Sequence, residues 1–335
     1  MDPNFALCIA IIIVALAFDF TNGFHDAANS ISTIVATKVL KPFTAVCWAA
    51  AFNFIALFVF DTGVAKTVGS GMIDLSTVTP VVILCGLVGA ISWNLLTWWW
   101  GLPSSSSHAL IGGYAGAAVV HQALAQHSFD AGFSVLVPKG WTLMFLFLLL
   151  APVMGGAVSY GLHRLTKLAI RRWPKTDNPH FYGRMQLLSS ALLSLTHGGN
   201  DAQKTAGIIA GALLASGMIN DFHIPYWVLV LSYLMIALGT LAGGWRIVQT
   251  MGFKLTQLDR RGGFCAETGA AFTILTATLL KMPVSTTHAT TGAIMGTGVG
   301  QHEASHWRMA RRILLGWLLT IPASAAVGGL LAALF

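Results

Sequence analysis

Two stretches of this chain repeat each other 180 positions apart: Gly101-Leu-Pro-Ser-Ser-Ser-Ser-His108-Ala-Leu-Ile-Gly112 and Lys281-Met-Pro-Val-Ser-Thr-Thr-His288-Ala-Thr-Thr-Gly292. Pro103, Ser105, His108, Ala109, Gly112, Gly116 and Val119 recur unchanged as Pro283, Ser285, His288, Ala289, Gly292, Gly296 and Val299. A second pair, Asn22-Gly-Phe-His-Asp26-Ala-Ala-Asn29-Ser30 and His197-Gly-Gly-Asn200-Asp201-Ala-Gln-Lys204-Thr205, recurs 175 positions apart, so one small insertion reconciles the two registers. Cys85/Cys265, Gly89/Gly269 and Ala90/Ala270 extend the likeness upstream. Self-similarity over most of a chain predicts two equivalent structural halves. They fall at 1–161 and 185–335, around a basic, proline-containing connection at 162–184.

The halves belong in a bilayer. Of the 335 residues 55% are hydrophobic and 9% charged, where a soluble domain carries roughly 25% charged residues. Apolar stretches at about 4–20, 43–60, 78–100, 141–161, 186–197, 205–219, 226–245, 264–280 and 313–335 are helix candidates, several reaching the roughly 20 residues that span a membrane. The alternation of a membrane barrel is absent, so the expected class is an all-α polytopic membrane protein. The segment Phe5–Phe20 lacks a basic flank and runs into polar sequence, which reads as retained structure and not a cleaved leader. Cys8, Cys47, Cys85 and Cys265 lie in apolar stretches without CxxC spacing and read as packing residues. The net charge of +7 sits in connections between spans, where orientation explains it without nucleic acid.

Charge also orients the halves. Arg164, Lys167, Arg171, Arg172, Lys175 and Arg184 place 162–184 in the cytoplasm. Lys38 and Lys41 flank a first-half connection whose counterpart, 213–223, has no Lys or Arg. The bias reverses where Arg246, Lys254, Arg260 and Arg261 face Lys66 and Asp74, and where Arg308, Arg311 and Arg312 face 122–132, which has neither Lys nor Arg. Opposite bias at equivalent connections predicts inverted-topology repeats. An odd number of crossings in each half then puts both termini, Met1 and Phe335, outside the cell. The polar motifs that interrupt the apolar stretches predict broken helices or re-entrant hairpins meeting at the membrane midplane, tolerated where they line a protein-enclosed cavity.

Proline favours the first turn of a helix, so Pro103 and Pro283 are expected to start half-helices, with Ser104, Ser105, Ser106 and Ser107, and Ser285, Thr286 and Thr287, in the first turn. Free backbone N–H groups, the positive end of the helix dipole and several hydroxyls suit a tetrahedral oxyanion. Capping and helix packing are the competing roles for these hydroxyls. His108 and His288 are placed in support, with His197 beside them. Asp26 and Asp201 sit in apolar surroundings, where an isolated carboxylate costs at least about 2.5–3.5 kcal/mol, so each needs a partner. Asn22, Asn29, Asn200 and carbonyls freed near Gly23, Gly198 and Gly199 would supply oxygen ligands for Na⁺; a proton is the other option, and an Asn-Asp helix cap the structural one. Lys204 either neutralises substrate charge or pairs with Asp201 or Glu267. Glu267, opposite Leu87 in the other half, is a candidate coupling carboxylate. Asp19 and Asp61 are weaker candidates. No metal site is expected, because His25 and His197 lack a third ligand type at metal spacing.

The Gly23-to-Ser30 and His197-to-Lys204 motifs and the two Pro-hydroxyl-His motifs together resemble the PiT inorganic phosphate transporter family, over essentially the whole chain. Gln203-Lys204 resembles its bacterial, low-affinity permeases; animal members tend to carry Asn at Lys204. The resemblance implies a secondary active transporter that imports phosphate by symport with Na⁺ or H⁺ and alternating access, in the inner cell membrane, with no cofactor and with a homodimer open. It places Asp26, Asn29 and Asp201 in ion coupling and substrate geometry, Ser104–Ser107 and Ser285–Thr287 around phosphate, and Lys204 and Thr205 beside them. Many animal members carry a glutamate where Asn53 stands here, while its partner is present as Glu267, which leaves proton coupling open. Sulfate is the rival substrate. An anion channel would need no coupling carboxylates. An intramembrane hydrolase built from Ser107, His108 and Asp26 is the remote reading, without the GxSxG elbow.

Overall fold

The computed structural model describes residues 3–301 and 307–335; the expected extracytoplasmic start at Met1 lies outside the described residues. The first half runs α1 (Pro3–Ala36), α2 (Pro42–Ile55), α3 (Gly63–Ser70), α4 (Pro80–Trp99), α5 (Ser106–Ala125), α6 (Phe129–Phe133) and α7 (Pro138–Arg172). The second runs α8 (Pro179–Ala215), α9 (Tyr226–Ala242), α10 (Trp245–Gln249, continued by a π turn to Lys254), α11 (Arg260–Leu279), α12 (Thr286–Gln301) and α13 (Trp307–Ala332). Taken in order, α1 to α5 match α8 to α12 and α7 matches α13, with the five-residue α6 unmatched among the described residues. Among the described residues no named strand forms, as an all-α class requires.

Four helices, α1, α4, α7 and α13, are long and apolar enough to cross a bilayer. Two bent pairs at matching places add a candidate span each: α2 with α3, bent by 85°, and α9 with α10, bent by 62°. Helices α5, α8 and α11 fall short of that apolar measure, carrying as they do buried Ser, Thr, Asn, Asp, Lys and Glu side chains, and α12, with 16 residues, is too short. Such residues face a protein interior, since lipid offers them no partner.

The halves are interlaced. Helix α1 packs on α9 and α8 on α2 and α3, so each aspartate-bearing helix lies against the bent pair of the other half. Hairpin α4–α5 is braced by α13 and hairpin α11–α12 by α7, again crosswise. The contacts are backbone to backbone: a Cβ at Gly116 would overlap Ala325, and one at the equivalent Gly296 would overlap Gly156. Small residues at four-residue spacing permit this approach. Both bracing helices carry an interior proline, Pro152 and Pro322, and both turn leucines such as Leu149 and Leu318 outward.

Two local expectations are corrected. First, Asp26 and Asp201 do not mark breaks: α1 and α8 run straight through their motifs, and the stretch 186–197 and most of 205–219 lie in one helix, which ends at Ala215. The carbonyls near Gly23, Gly198 and Gly199 therefore belong to helix interiors. These glycines serve packing instead, because a Cβ at Gly23 would strike the Ile236 backbone and one at Gly198 that of Asn53. Second, Pro103 and Pro283 precede their helices by three residues. Ser105 is the N-cap, its hydroxyl accepting from the His108 N–H at 3.2 Å, and Ser285 does the same for His288 at 3.2 Å. A side-chain acceptor wins the N-cap over proline, which supplies none. The basic connection 162–184 comprises the end of α7 and the start of α8, with 173–178 between them.

Candidate functional site between the two hairpins

Each hairpin turns back by the same local chemistry. In the first, Gly101 N–H donates to Trp98 and Leu102 N–H to Thr97; in the second, Lys281 N–H donates to Thr278 and Met282 N–H to Ala277, the same bonds 180 positions on. Gly101 at φ 61° and Lys281 at φ 60° are the left-handed residues that close the two helices. The other half fastens each turn: Thr250 Oγ1 donates to Gly101 O at 2.8 Å, and Thr67 Oγ1 donates to Lys281 O at 2.7 Å.

The hydroxyls at the two helix starts are buried and meet the equivalent residues of α1 and α8 crosswise. Asn29 Nδ2 on α1 donates to Thr286 Oγ1 at 3.2 Å and to Thr287 Oγ1 at 3.0 Å. Lys204, its equivalent on α8, donates to Ser107 Oγ at 2.5 Å, to the Val284 carbonyl at 2.7 Å and to Asp201 Oδ1 at 2.5 Å. That uses all three ammonium donors. Lys204 therefore pairs with Asp201 and not with Glu267. Thr286 Oγ1 also donates to Asp201 Oδ2 at 3.1 Å, and Thr287 Oγ1 to Asp26 Oδ1 at 3.4 Å. Ser106, at the first turn of α5, keeps a buried hydroxyl without a partner.

The two carboxylates are close neighbours. One ligand atom each from Asp26, His197 and Asp201 lie within 4.8 Å of one another. Spacing along the chain showed no such trio, because α1 and α8 come together only in the fold. His197 Nε2 lies 3.2 Å from Asp201 Oδ2 but out of line for a hydrogen bond, while its Nδ1 is 3.2 Å from Asn53 Oδ1. Asn53 in turn donates to Thr240 Oγ1 at 2.8 Å. His25 Nδ1 sits 2.8 Å from Asp26 Oδ1 and its Nε2 3.1 Å from Thr97 Oγ1, which is bonded to Ser104 Oγ at 2.8 Å. By formal charge, the two carboxylates of Asp26 and Asp201 face one ammonium, that of Lys204, in this centre.

Other named residues lie outside this centre or do structural work. Asn200 is saturated: it donates to Thr278 Oγ1 at 2.9 Å and Met282 O at 3.1 Å and accepts from Val284 N–H at 3.2 Å, which ties α8 to the second hairpin. Glu267 forms a separate buried cluster, accepting from Thr33 Oγ1 at 2.6 Å, Gln186 Nε2 at 2.9 Å and Ser189 Oγ at 2.6 Å. It lies eleven residues before Thr278, about 16 Å along α11. The Asn22 Oδ1 has no partner, and the Thr205 hydroxyl lies beside Asp19, away from the hairpins. His108 and His288 meet edge to face at 4.8 Å, with His288 stacked on Trp317 at 3.8 Å. Ser107 is bonded to Lys204 and Val284, and neither ring is its partner.

Sequence reasoning missed the bonds of His25, Thr97, Asn53 and Thr240, and the set around Glu267. The available signal was spacing: Gln186 and Ser189 share a helix face, as do Thr33 and Thr37, in stretches otherwise apolar. The four free cysteines are buried or half-buried, in keeping with packing.

Comparison with known proteins places this geometry. A protein of Rhizobium meliloti named as a probable low-affinity inorganic phosphate transporter is 48% identical over 97% of this chain and 96% of its own length. One of Bacillus subtilis with the same name is 41% identical over 98% and 97%. A solved structure titled "The sodium-dependent phosphate transporter" shares the fold, with a TM-score of 0.87 over 98% of both chains at 23% identity. Residues 22–328 match the family model described as the phosphate transporter family. This chain, a polytopic membrane protein whose relatives are transporters and not hydrolases, belongs to the phosphate transporter family.

Proposed function

We propose that the protein is a secondary active transporter that imports inorganic phosphate by symport with Na⁺ or H⁺, through alternating access of one central site. One observation carries this reading: two buried carboxylates, Asp26 and Asp201, lie against the same hydroxyls that suit an oxyanion. Phosphate brought there alone would meet a centre already one charge negative. Burying uncompensated like charge is costly, so an anion enters this site only with cations. The trio Asp26, His197 and Asp201 is the place for a coupling ion, with Asn29 beside it. Ser105, Ser106, Ser107, Ser285, Thr286 and Thr287 form the phosphate cradle, and the N–H groups that open α5 and α12 add donors. Ser104 acts from behind, through Thr97 and His25.

Binding would exchange the bonds of Lys204 and Asn29 to the hairpin hydroxyls for bonds to phosphate. Each hairpin would then be free to move with the half that braces it. In this scheme two cross-braced bodies, each holding elements of both repeats 1–161 and 185–335, rock about the centre, in the inner cell membrane, with 162–184 cytoplasmic and both termini outside, as the charge bias supports. Purified protein in liposomes should accumulate labelled phosphate against its gradient when a Na⁺ or a H⁺ gradient is imposed, each tested separately. Equal uptake with both gradients collapsed would overturn the reading, and competition with sulfate reports the substrate.

A further inference from the structure

Asp19 is the most conspicuous charged group that the phosphate centre does not use. It sits on α1 two turns before Asp26, fully buried, and neither carboxylate oxygen has a hydrogen-bond partner. The hydroxyls of Thr205 on α8 and Ser232 on α9 lie beside it, both buried and both unpartnered. Asn22, one turn along the same face of α1, carries a further unpartnered oxygen, Oδ1.

The hydroxyls make the pattern informative. Buried Ser and Thr side chains in helices ordinarily settle on the carbonyl one turn back, and here Thr97, Thr240, Thr278 and Thr320 all do so. Thr205 and Ser232 do not, in common with Ser30, Ser32, Thr290, Thr291 and Thr297 elsewhere in the helices; what sets the two apart is the bare carboxylate of Asp19 beside them. Three helices from both halves thus place a carboxylate and two hydroxyl oxygens side by side, within reach but with no hydrogen bond of ordinary geometry among them. An unpaired carboxylate in a membrane interior costs several kcal/mol, and a hard monovalent cation removes that cost while using every one of these oxygens. One carboxylate with neutral oxygen ligands balances a single positive charge; a divalent ion would leave an excess.

We propose that Asp19, Thr205 and Ser232 form a Na⁺ site separate from the phosphate centre. It rests on the coupled-transport reading for its role, since it joins α1, α8 and α9 where the two halves interlace. Na⁺ bound there would hold the halves together, and its loss would loosen them.

The test uses the full-length protein in detergent and in liposomes. Thermal unfolding is followed in NaCl and in choline chloride at fixed ionic strength and several pH values. The wild type should gain several degrees with Na⁺, Asp19→Asn should be as stable without Na⁺ as the wild type is with it, and its response to Na⁺ should shrink to whatever the central site supplies. Ser232→Ala, which keeps the charge, should need roughly tenfold more Na⁺ for the same gain. In liposomes, Asp19→Asn should lower the steepness of the Na⁺ dependence of phosphate uptake by about one ion. A wild type indifferent to Na⁺, a variant that keeps the full response, or a stability that follows pH alone would overturn the site. The unfolding arm needs no transport, so wild-type liposomes that fail to accumulate phosphate would refute the transport reading and leave the site to be judged on binding.

Discussion

Asn29 and Lys204 occupy equivalent positions on equivalent helices, reach across to equivalent hydroxyls, and do different work. On the first half a neutral amide makes two bonds of 3.2 and 3.0 Å to Thr286 and Thr287. On the second an ammonium grips Ser107, Val284 and Asp201 at once. The same divergence holds one turn back, where His25 meets Thr97 and Ser104 while Asn200 meets Thr278, Met282 and Val284. Duplication set the scaffold, and later change set the chemistry: one hairpin is held by a charged donor whose own ion pair stays within α8, the other by exchangeable neutral bonds. The neutral side is therefore the one that should release first when substrate arrives.

The largest effect should come from Lys204→Met. It strands the buried Asp201 carboxylate, and removing one partner of a buried pair typically costs about 3–5 kcal/mol. Thermal unfolding in detergent should show this loss, and phosphate uptake should vanish. Adding Asp201→Asn should restore most of the stability but not the uptake, because the stranded charge is gone while the site remains dismantled. A stable, active Lys204→Met protein would break the distinction between the halves. Asn29→Ala should do less: loss of neutral hydrogen bonds costs about 0.5–1.5 kcal/mol each, and the fold should survive. Its mark should be on uptake, with the apparent KM for phosphate raised roughly tenfold, equivalent to about 1.4 kcal/mol. Equal destabilisation by the two variants would mean that both hairpins are held alike.

The same pair shows what was legible in the chain. Paired motifs, apolar stretches and charge bias were enough for the all-α membrane class and for the convergence of Asp26, Asp201 and the two hydroxyl runs, because each is a local pattern that the duplication repeats. Helix continuity was not legible. Asp26 and Asp201 read as breaks, since a carboxylate in an apolar run looks unaffordable until Thr286, Thr287, His25 and Lys204 arrive from elsewhere in the fold. Nor did spacing distinguish Asn200, which fastens a hairpin, from Asn29, which faces the hydroxyls, though both are asparagines beside an aspartate. The Glu267 cluster stayed hidden because its first-half counterpart, Leu87, is apolar and the repeat carried no echo of it. Long-range partners decide these roles, and one-dimensional spacing does not contain them.

The smallest expected effect tests whether the two turns are mechanically equal despite their different residues. Gly101 and Lys281 share a left-handed backbone, a conformation that costs a residue with a Cβ about 1–2 kcal/mol. A Cβ at Gly101 would meet only ordinary contacts, the nearest being Arg246 O at 3.4 Å, so Gly101→Ala isolates the backbone term. Its Tm should fall by about 2–4 °C. Lys281→Gly relieves the same strain, but glycine loses more freedom on folding, and the Lys281 stem that packs against Gly63 is lost. The two offset, and its Tm should rise by no more than about 1–2 °C. A clear fall for Lys281→Gly would show that the lysine stem, and not the turn, holds the second hairpin to α3, and the two hairpins would then differ in their anchoring as well as in their central bonds.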